Sequence, residues 1–320
     1  MEVAPSVLRR LVTLGIGVVL LTACGAQADD PVRSVRPTTV SALGATVGPE
    51  DAKNAFGLLK ELDDAWKKRD CVKVVFLTTS AQSELGRRAC EAARNGRPAP
   101  AAVDYTDVEY FLPDRPGERP WFAALARKPE PAYFVFAYED ERWRLAYGPI
   151  RLVGNGPEFD VNETTRAVPT DDPGDGVRAR LVPQKHLAFL SDRAGLSGVR
   201  FASGDRMRDL LAELVRKPAT ARPDRLSSDI QLVPGETRAL AVNGGGALVF
   251  HAIKIMYTQK TSARKLAHPI FGTDAVRAFT GESGLSTIHA TEVVVLATKV
   301  ATDGKLTTVG MTRGLADITP

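Results

Sequence analysis

The sequence predicts an α+β protein of two domains, each with helices packed against a curved, mainly antiparallel sheet. Residues 51–96 carry apolar positions at three- and four-residue steps, and residues 103–147 switch to short runs of β-branched and aromatic residues. The same order of helices before strands returns after residue 179. A βαβ series would alternate the two patterns instead.

Ahead of the folded part, residues 1–23 read as a lipoprotein signal peptide. Arg9 and Arg10 precede the apolar stretch Leu11–Leu21, and the small residues Thr22 and Ala23 lead to Cys24. The stretch is too short to span a bilayer, which takes about 20 apolar residues. This grammar resembles that of bacterial lipoproteins. The resemblance implies that Cys24 receives a diacylglyceryl group, becomes the new N-terminus and holds the protein at the extracytoplasmic face of the cell membrane. Two acyl chains, at roughly 0.8 kcal/mol per buried methylene, anchor far more firmly than one. Residues 24–48 are rich in Ala, Thr, Ser, Pro and Gly with no apolar period and read as a flexible tether.

The N-terminal α+β domain is placed at 49–152. Ala52, Ala55, Phe56, Leu59, Leu62 and Trp66 predict one amphipathic helix with Asp51 as its N-cap. A second helix starts at Thr79, whose spacing to Gln82 suits a capping box, and ends at Asn95-Gly96. Extended segments follow at Val103–Tyr110 and Trp121–Ala126, then strands at Ala132–Tyr138 and Arg142–Tyr147 joined through Glu139-Asp140-Glu141. Residues 153–178, dense in Gly, Pro and acids, read as the linker. The C-terminal α+β domain, 179–320, opens with helices around Gln184–Asp192 and over Asp205–Lys217, the latter stopped by Pro218. Strands are expected at Ile230–Val233, Arg238–Val242, Ala247–Tyr257, Thr287–Val300 and Leu306–Met311.

The formal charge of +4 is spread as alternating acids and bases rather than gathered on one face, which argues against a nucleic-acid partner. Besides Cys24 there are two cysteines, Cys71 and Cys90. In an exported protein this pair reads as a disulfide; it has no CxxC spacing for zinc, and a catalytic thiol would need a histidine partner.

The segments Trp121-Phe122, Phe134-Val135-Phe136, Trp143-Arg144-Leu145 and Gly244-Gly245-Gly246-Ala247-Leu248-Val249-Phe250 resemble a group of uncharacterised actinobacterial lipoproteins. The resemblance implies tandem cone-shaped α+β domains of the nuclear-transport-factor-2-like kind, in which a sheet wraps helices around a pocket. It supplies no activity.

Catalytic signals are weak. None of His186, His251, His268 and His289 forms an HExxH or an i, i+4 pair, so no metal ligands are assigned. Ser262-Ala263-Arg264-Lys265 matches SxxK without its SDN and KTG partners. Gly244–Gly246 separates two extended segments and lacks a P-loop lysine, so it reads as a hairpin turn. Asp104, Asp107, Glu109, Asp140 and Glu141 could supply a carboxylate pair, and Trp66, Tyr105, Tyr110, Trp121, Trp143 and Tyr147 could enter a pocket. With no catalytic residue and no cofactor assigned, the expectation is a lipid-anchored envelope protein that binds a small apolar ligand or another envelope protein, or scaffolds. The alternative is a pocket hydrolase or isomerase. A transporter's solute receptor would need parallel α/β lobes.

Overall fold

The structure, a computed structural model, describes residues 46–114, 119–159, 165–169 and 171–320. Cys24, the signal and most of the tether lie outside these residues. The described residues belong to one compact unit, Ser41–Pro320.

The architecture is α+β with two helix-and-sheet regions. The first holds α1 (Pro49–Phe56), α2 (Leu58–Lys68), α3 (Cys71–Leu77), α4 (Ser80–Arg94), β1 (Thr106–Phe111), β2 (Trp121–Lys128), β3 (Ala132–Glu139) and β4 (Arg142–Arg151). The second holds α5 (Asp175–Arg180), α6 (Val182–Ser191), α7 (Arg206–Thr220), β5 (Arg225–Leu232), β6 (Arg238–Ala241), β7 (Ala247–Lys260), α8 (Thr273–Thr280), β8 (Thr287–Val300) and β9 (Leu306–Thr319). Both sheets are antiparallel and open, in the orders β1-β2-β3-β4 and β5-β7-β8-β9, with β6 pairing beside β7.

Side-chain parity explains the layering. On β2 and β3, Phe122, Ala124, Phe134 and Phe136 face the helices that carry Phe56, Leu62, Trp66 and Val74. Their neighbours Ala123, Leu125, Tyr133 and Val135 turn the other way and meet Leu248, Phe250, Val293 and Val295 of the second sheet. The Tyr133 and Phe250 rings cross this interface at 5.6 Å. The second sheet's outer face, with Val249, Ile253, Ile255 and Leu296, packs with Val182, Met207, Leu210 and Leu214 of α6 and α7. The order of layers is therefore helices, sheet, sheet, helices. Helix α4 lies at the margin of the sandwich, where its Ala81 and Leu85 join the cluster between the sheets.

Local chemistry sets several boundaries differently from the sequence reading. The first helix divides at Gly57, and its N-cap is Gly48 with Pro49 in the first turn rather than Asp51. Thr79 is the N-cap of α4, but its hydroxyl donates to Glu139 Oε2 at 2.5 Å, so the capping box with Gln82 does not form. Helix α7 continues through Pro218 to Thr220. Helices α3, α5 and α8 were not expected, and α5 begins inside the segment read as linker. That segment is stitched to the sheets: Thr165 N donates to Leu112 O at 2.7 Å, and Val168 N to Ala239 O at 3.0 Å.

The β3–β4 turn is two residues long, with Asp140 and Glu141 both at positive φ, as a tight hairpin of matching twist requires. Gly244–Gly246 turns β6 into β7, as expected from its flanking strands. At Gly246 a Cβ would sit 2.2 Å from Val300 O, so only glycine fits. Cys71, the first residue of α3, is bonded to Cys90 on α4, with Cα atoms 5.5 Å apart. Closing a loop of this size contributes about 3 kcal/mol in the chain-entropy account. The bridge fixes α4 against α3, and both cavities described below are built along α4.

Candidate functional site

The cavity that best fits a small apolar ligand lies between α2, α4, the segment 97–105 and the strands behind them. Its volume is about 410 Å³. Leu59, Leu62 and Trp66 come from successive turns of α2, and Leu85 and Ala89 from α4. Phe134 and Leu145 of the first sheet line it from one side, and Thr312, Arg313, Gly314 and Leu315 of β9 from another. Gly86 lets α4 approach α3 closely: a Cβ there would meet Val74 Cγ1 at 2.9 Å.

A small set of polar groups converges on this apolar wall. Burial holds the Asp63 carboxyl above its ordinary value, although Lys67 draws it down. Burial also raises the Tyr105 hydroxyl, whose ring packs edge-on to Phe134 at 4.8 Å. The Arg97 guanidinium is pushed down by burial; it donates to Leu315 O at 3.2 Å and lies over the Phe279 ring. Gln82 Oε1, freed by the missing capping box, is buried with no hydrogen-bond partner among the described residues. An apolar body with one polar end matches this lining. Neither this cavity nor the larger one near the start of α4 is lined by a histidine, and Asp63 and Tyr105 are the carboxyl and phenol that line this one.

The residues singled out from sequence fall in different places. Trp66 and Tyr105 line the apolar cavity. Tyr110 packs on Phe56, Trp143 on Phe122 and Tyr138, Trp121 is buried between the sheets, and Tyr147 is buried beneath Arg238. The acids do not pair with one another. Glu109 meets Arg127 at 2.5 Å, Asp140 meets Arg144 at 2.6 Å, and Asp104, Asp107 and Glu141 are exposed. Ser262 and Lys265 sit on exposed bends, so no helical turn brings the lysine onto the serine. His289 is exposed beside Thr258 at 3.1 Å, and His268 offers its carbonyl to Gln259.

His186 and His251 do come together, with rings 4.7 Å apart in the second helix-and-sheet region and Thr298 Oγ1 3.4 to 3.5 Å from each. Burial lowers both, His186 to about 4 and His251 well below its ordinary value. They are neutral core side chains at pH 7, and they line neither of these two cavities. Among the described residues no group of three His, Cys, Asp or Glu side chains could hold a metal ion, and no helix is long and apolar enough to cross a membrane.

Sequence reasoning missed Asp63, Gln82, Arg97, Arg151 and Arg313 at the cavity. Asp63 carried a signal, since it follows Leu62 and lies one turn from Leu59 and Trp66 on the apolar side of α2.

Residues 77–319 match the model of a family described as a domain of unknown function (DUF8094). Over 323 residues the chain is 25% identical to an uncharacterized lipoprotein of Streptomyces coelicolor, covering 95% of this chain and 93% of that protein. No solved structure matches.

Proposed function

We propose that this chain, which belongs to the family described as Domain of unknown function (DUF8094), is a lipid-anchored, extracytoplasmic binding protein that takes a small apolar ligand in the α2–α4 cavity. The cavity carries the reading: a mainly apolar lining of ligand size that also presents Asp63, Gln82, Tyr105 and three arginines, with its α4 wall tied to α3 by the Cys71–Cys90 bridge. Two observations support the anchor, the run Leu21-Thr22-Ala23-Cys24 and the lipoprotein name of the Streptomyces coelicolor relative. In this reading 49–152 and 179–320 are two domains docked through their sheets, each a shallow, open form of the cone-shaped fold. The placement of helices on the outer face of each sheet supports that layering. The alternative of a pocket hydrolase or isomerase needs a carboxylate with a histidine or a tyrosine in one cavity; Asp63 and Tyr105 line the α2–α4 cavity together, and no histidine joins them.

The ligand reading is tested with a neutral apolar dye such as N-phenyl-1-naphthylamine. Uptake should be saturable, with energy transfer from Trp66, and Ala89→Leu should weaken it at least tenfold while leaving the thermal midpoint within a few degrees. Absence of saturable uptake by the folded protein, or unchanged uptake in both Ala89→Leu and Trp66→Ala, overturns it. For the anchor, metabolic labelling with an alkyne fatty acid should mark the native protein. Cys24→Ser should lose both the label and the membrane fraction; label retained by that variant removes Cys24 as the acceptor.

A further inference from the structure

We propose that a second cavity, of about 560 Å³ between the start of α4 and the rims of both sheets, binds a phosphate-bearing polar molecule. The inner face of β7 runs Leu248, Phe250, Ala252 against the first sheet, then continues in the same parity with Lys254 and Met256. Lys254 therefore stands where the sandwich would otherwise place a hydrophobe, and its side chain is only 19% exposed. Arg144, on β4 of the other sheet, lines the same cavity and is only 16% exposed. Drawing two cations out of water on two packed sheets is costly unless anions compensate them.

The carboxylates now beside them are poorly held. Lys254 Nζ meets Glu84 Oε2 at 2.9 Å and Arg144 Nη2 meets Asp140 Oδ2 at 2.6 Å, but those acids are 47% and 71% exposed. The sheets fix the cations, while the acids can swing into water, where such ion pairs contribute little. An incoming anion therefore replaces Glu84 and Asp140 at small cost.

Arg87, which also lines the cavity, is exposed and in no ion pair among the described residues. Arg88 and Asp317 line it too, and they neutralise one another at 3.2 Å. The balance is positive: Arg87, Arg144 and Lys254 against Glu84 and Asp140. Thr79, diverted to Glu139, leaves the adjacent N-terminus of α4 without a side-chain cap, and the Glu139 carboxylate is itself paired with Arg238 at 3.7 Å. A guanidinium fork and an ammonium suit phosphoryl oxygens, and the Ser83 hydroxyl and Gln231 amide offer partners to a polyol. Either a free phosphorylated polyol or a phosphoglycerol lipid headgroup presents this chemistry.

The test uses the full chain carrying Cys24→Ser, so that the anchor does not mask lipid binding. Calorimetric titration with glycerol 1-phosphate and cosedimentation with phosphatidylglycerol against phosphatidylcholine vesicles form its two arms. Saturable, salt-sensitive binding is expected in at least one arm. It should fall at least tenfold in Lys254→Gln and in Arg144→Gln, and stay unchanged in Arg127→Gln, an exposed arginine outside the cavity. Binding of the free phosphate ester alone assigns a soluble ligand, and binding of the anionic vesicles assigns a headgroup. If Arg144→Gln lowers the thermal midpoint, Lys254→Gln decides, because it leaves only the exposed Glu84 unpaired. No saturable binding in either arm, or equal loss in Arg127→Gln, overturns the proposal. Apolar dye uptake should be unchanged in Lys254→Gln, which separates this site from the α2–α4 cavity.

Discussion

Replacing Arg313 with methionine is expected to cost about 2 to 3 kcal/mol of folding stability at pH 7, read from urea unfolding. Arg313 on β9 spans two carboxylates. Its Nη1 donates to Glu213 Oε2 at 2.6 Å and its Nη2 to Glu292 Oε2 at 2.9 Å, tying α7 to β8 and β9. Glu292 is 9% exposed and also accepts from the Tyr257 hydroxyl at 3.1 Å. Removing one partner of a buried pair costs about 3 to 5 kcal/mol because the other charge stays desolvated. Arg313 and Glu213 are partly in water, which places the expectation below that range.

The pH dependence gives this prediction a second readout. Hydrogen bonds from Arg313 hold Glu213 down to about 2. A depressed carboxylate stabilises the fold above its ordinary value, and that contribution is lost as pH falls toward the folded value. The deficit of Arg313→Met should therefore be largest above about pH 4.5 and shrink toward pH 2. The double variant Arg313→Met, Glu292→Leu, which removes the stranded charge, should recover part of the loss. A deficit independent of pH and equal in the double variant would show that Arg313 acts through packing alone.

Strand parity made much of the fold legible. Trp121–Ala126, Ala132–Tyr138 and Arg142–Tyr147 pair as expected because cross-strand neighbours follow from a period of two and a tight turn. The contact between sheets was hidden by the same physics. β7 and β8 are buried on both faces, so the polar alternation that marks a one-sided sheet is largely absent, and a continuous apolar run does not say what covers it. Helix α3 was missed because Cys71-Val72-Lys73-Val74-Val75-Phe76-Leu77 is rich in strand-forming residues. Its N-cap Asp70, which accepts from Lys73 N at 3.0 Å, was the available signal. The eight-residue α8 lies in a polar stretch and buries only Val276, Ala278 and Phe279.

The Cys71–Cys90 pairing was readable because these are the two cysteines besides Cys24 in a chain read as exported. The apolar cavity was readable only in kind. Trp66 and Leu315 meet there across most of the chain, and no periodicity encodes such an encounter. The cationic cavity had a sequence signal that parity exposes: Lys254 continues the face of Leu248, Phe250 and Ala252.

Below pH 6.5 the protein is expected to lose stability steeply because His186 and His251 are buried neutral. His186 Nδ1 donates to Val182 O at 2.9 Å, so its Nε2 is the acceptor facing Thr298 Oγ1. Thr298 can then accept from His251 Nε2, which leaves His251 Nδ1 buried with no partner among the described residues. A proton on either ring would place a cation in the core beside the other imidazole. Asp205 is near enough to favour the charged form of His186, but its oxygens already accept from Thr308 N, Thr308 Oγ1 and Met207 N.

Burial brings His186 down to about 4, against about 6.5 when unfolded. The unfolded chain thus binds protons that the fold excludes, and stability falls as pH drops through 6.5 until the folded value is reached. His186 alone accounts for about 3 kcal/mol across that window. His251, held well below its ordinary value by burial and by His186, adds to the slope. Between pH 6 and 5 the urea-unfolding free energy should change with a slope approaching two protons per molecule. His251→Met, which leaves Thr298 free to donate to His186, should halve that slope. A slope unchanged in His251→Met and in His186→Gln would mean that the acid sensitivity resides in the carboxylates rather than in this pair.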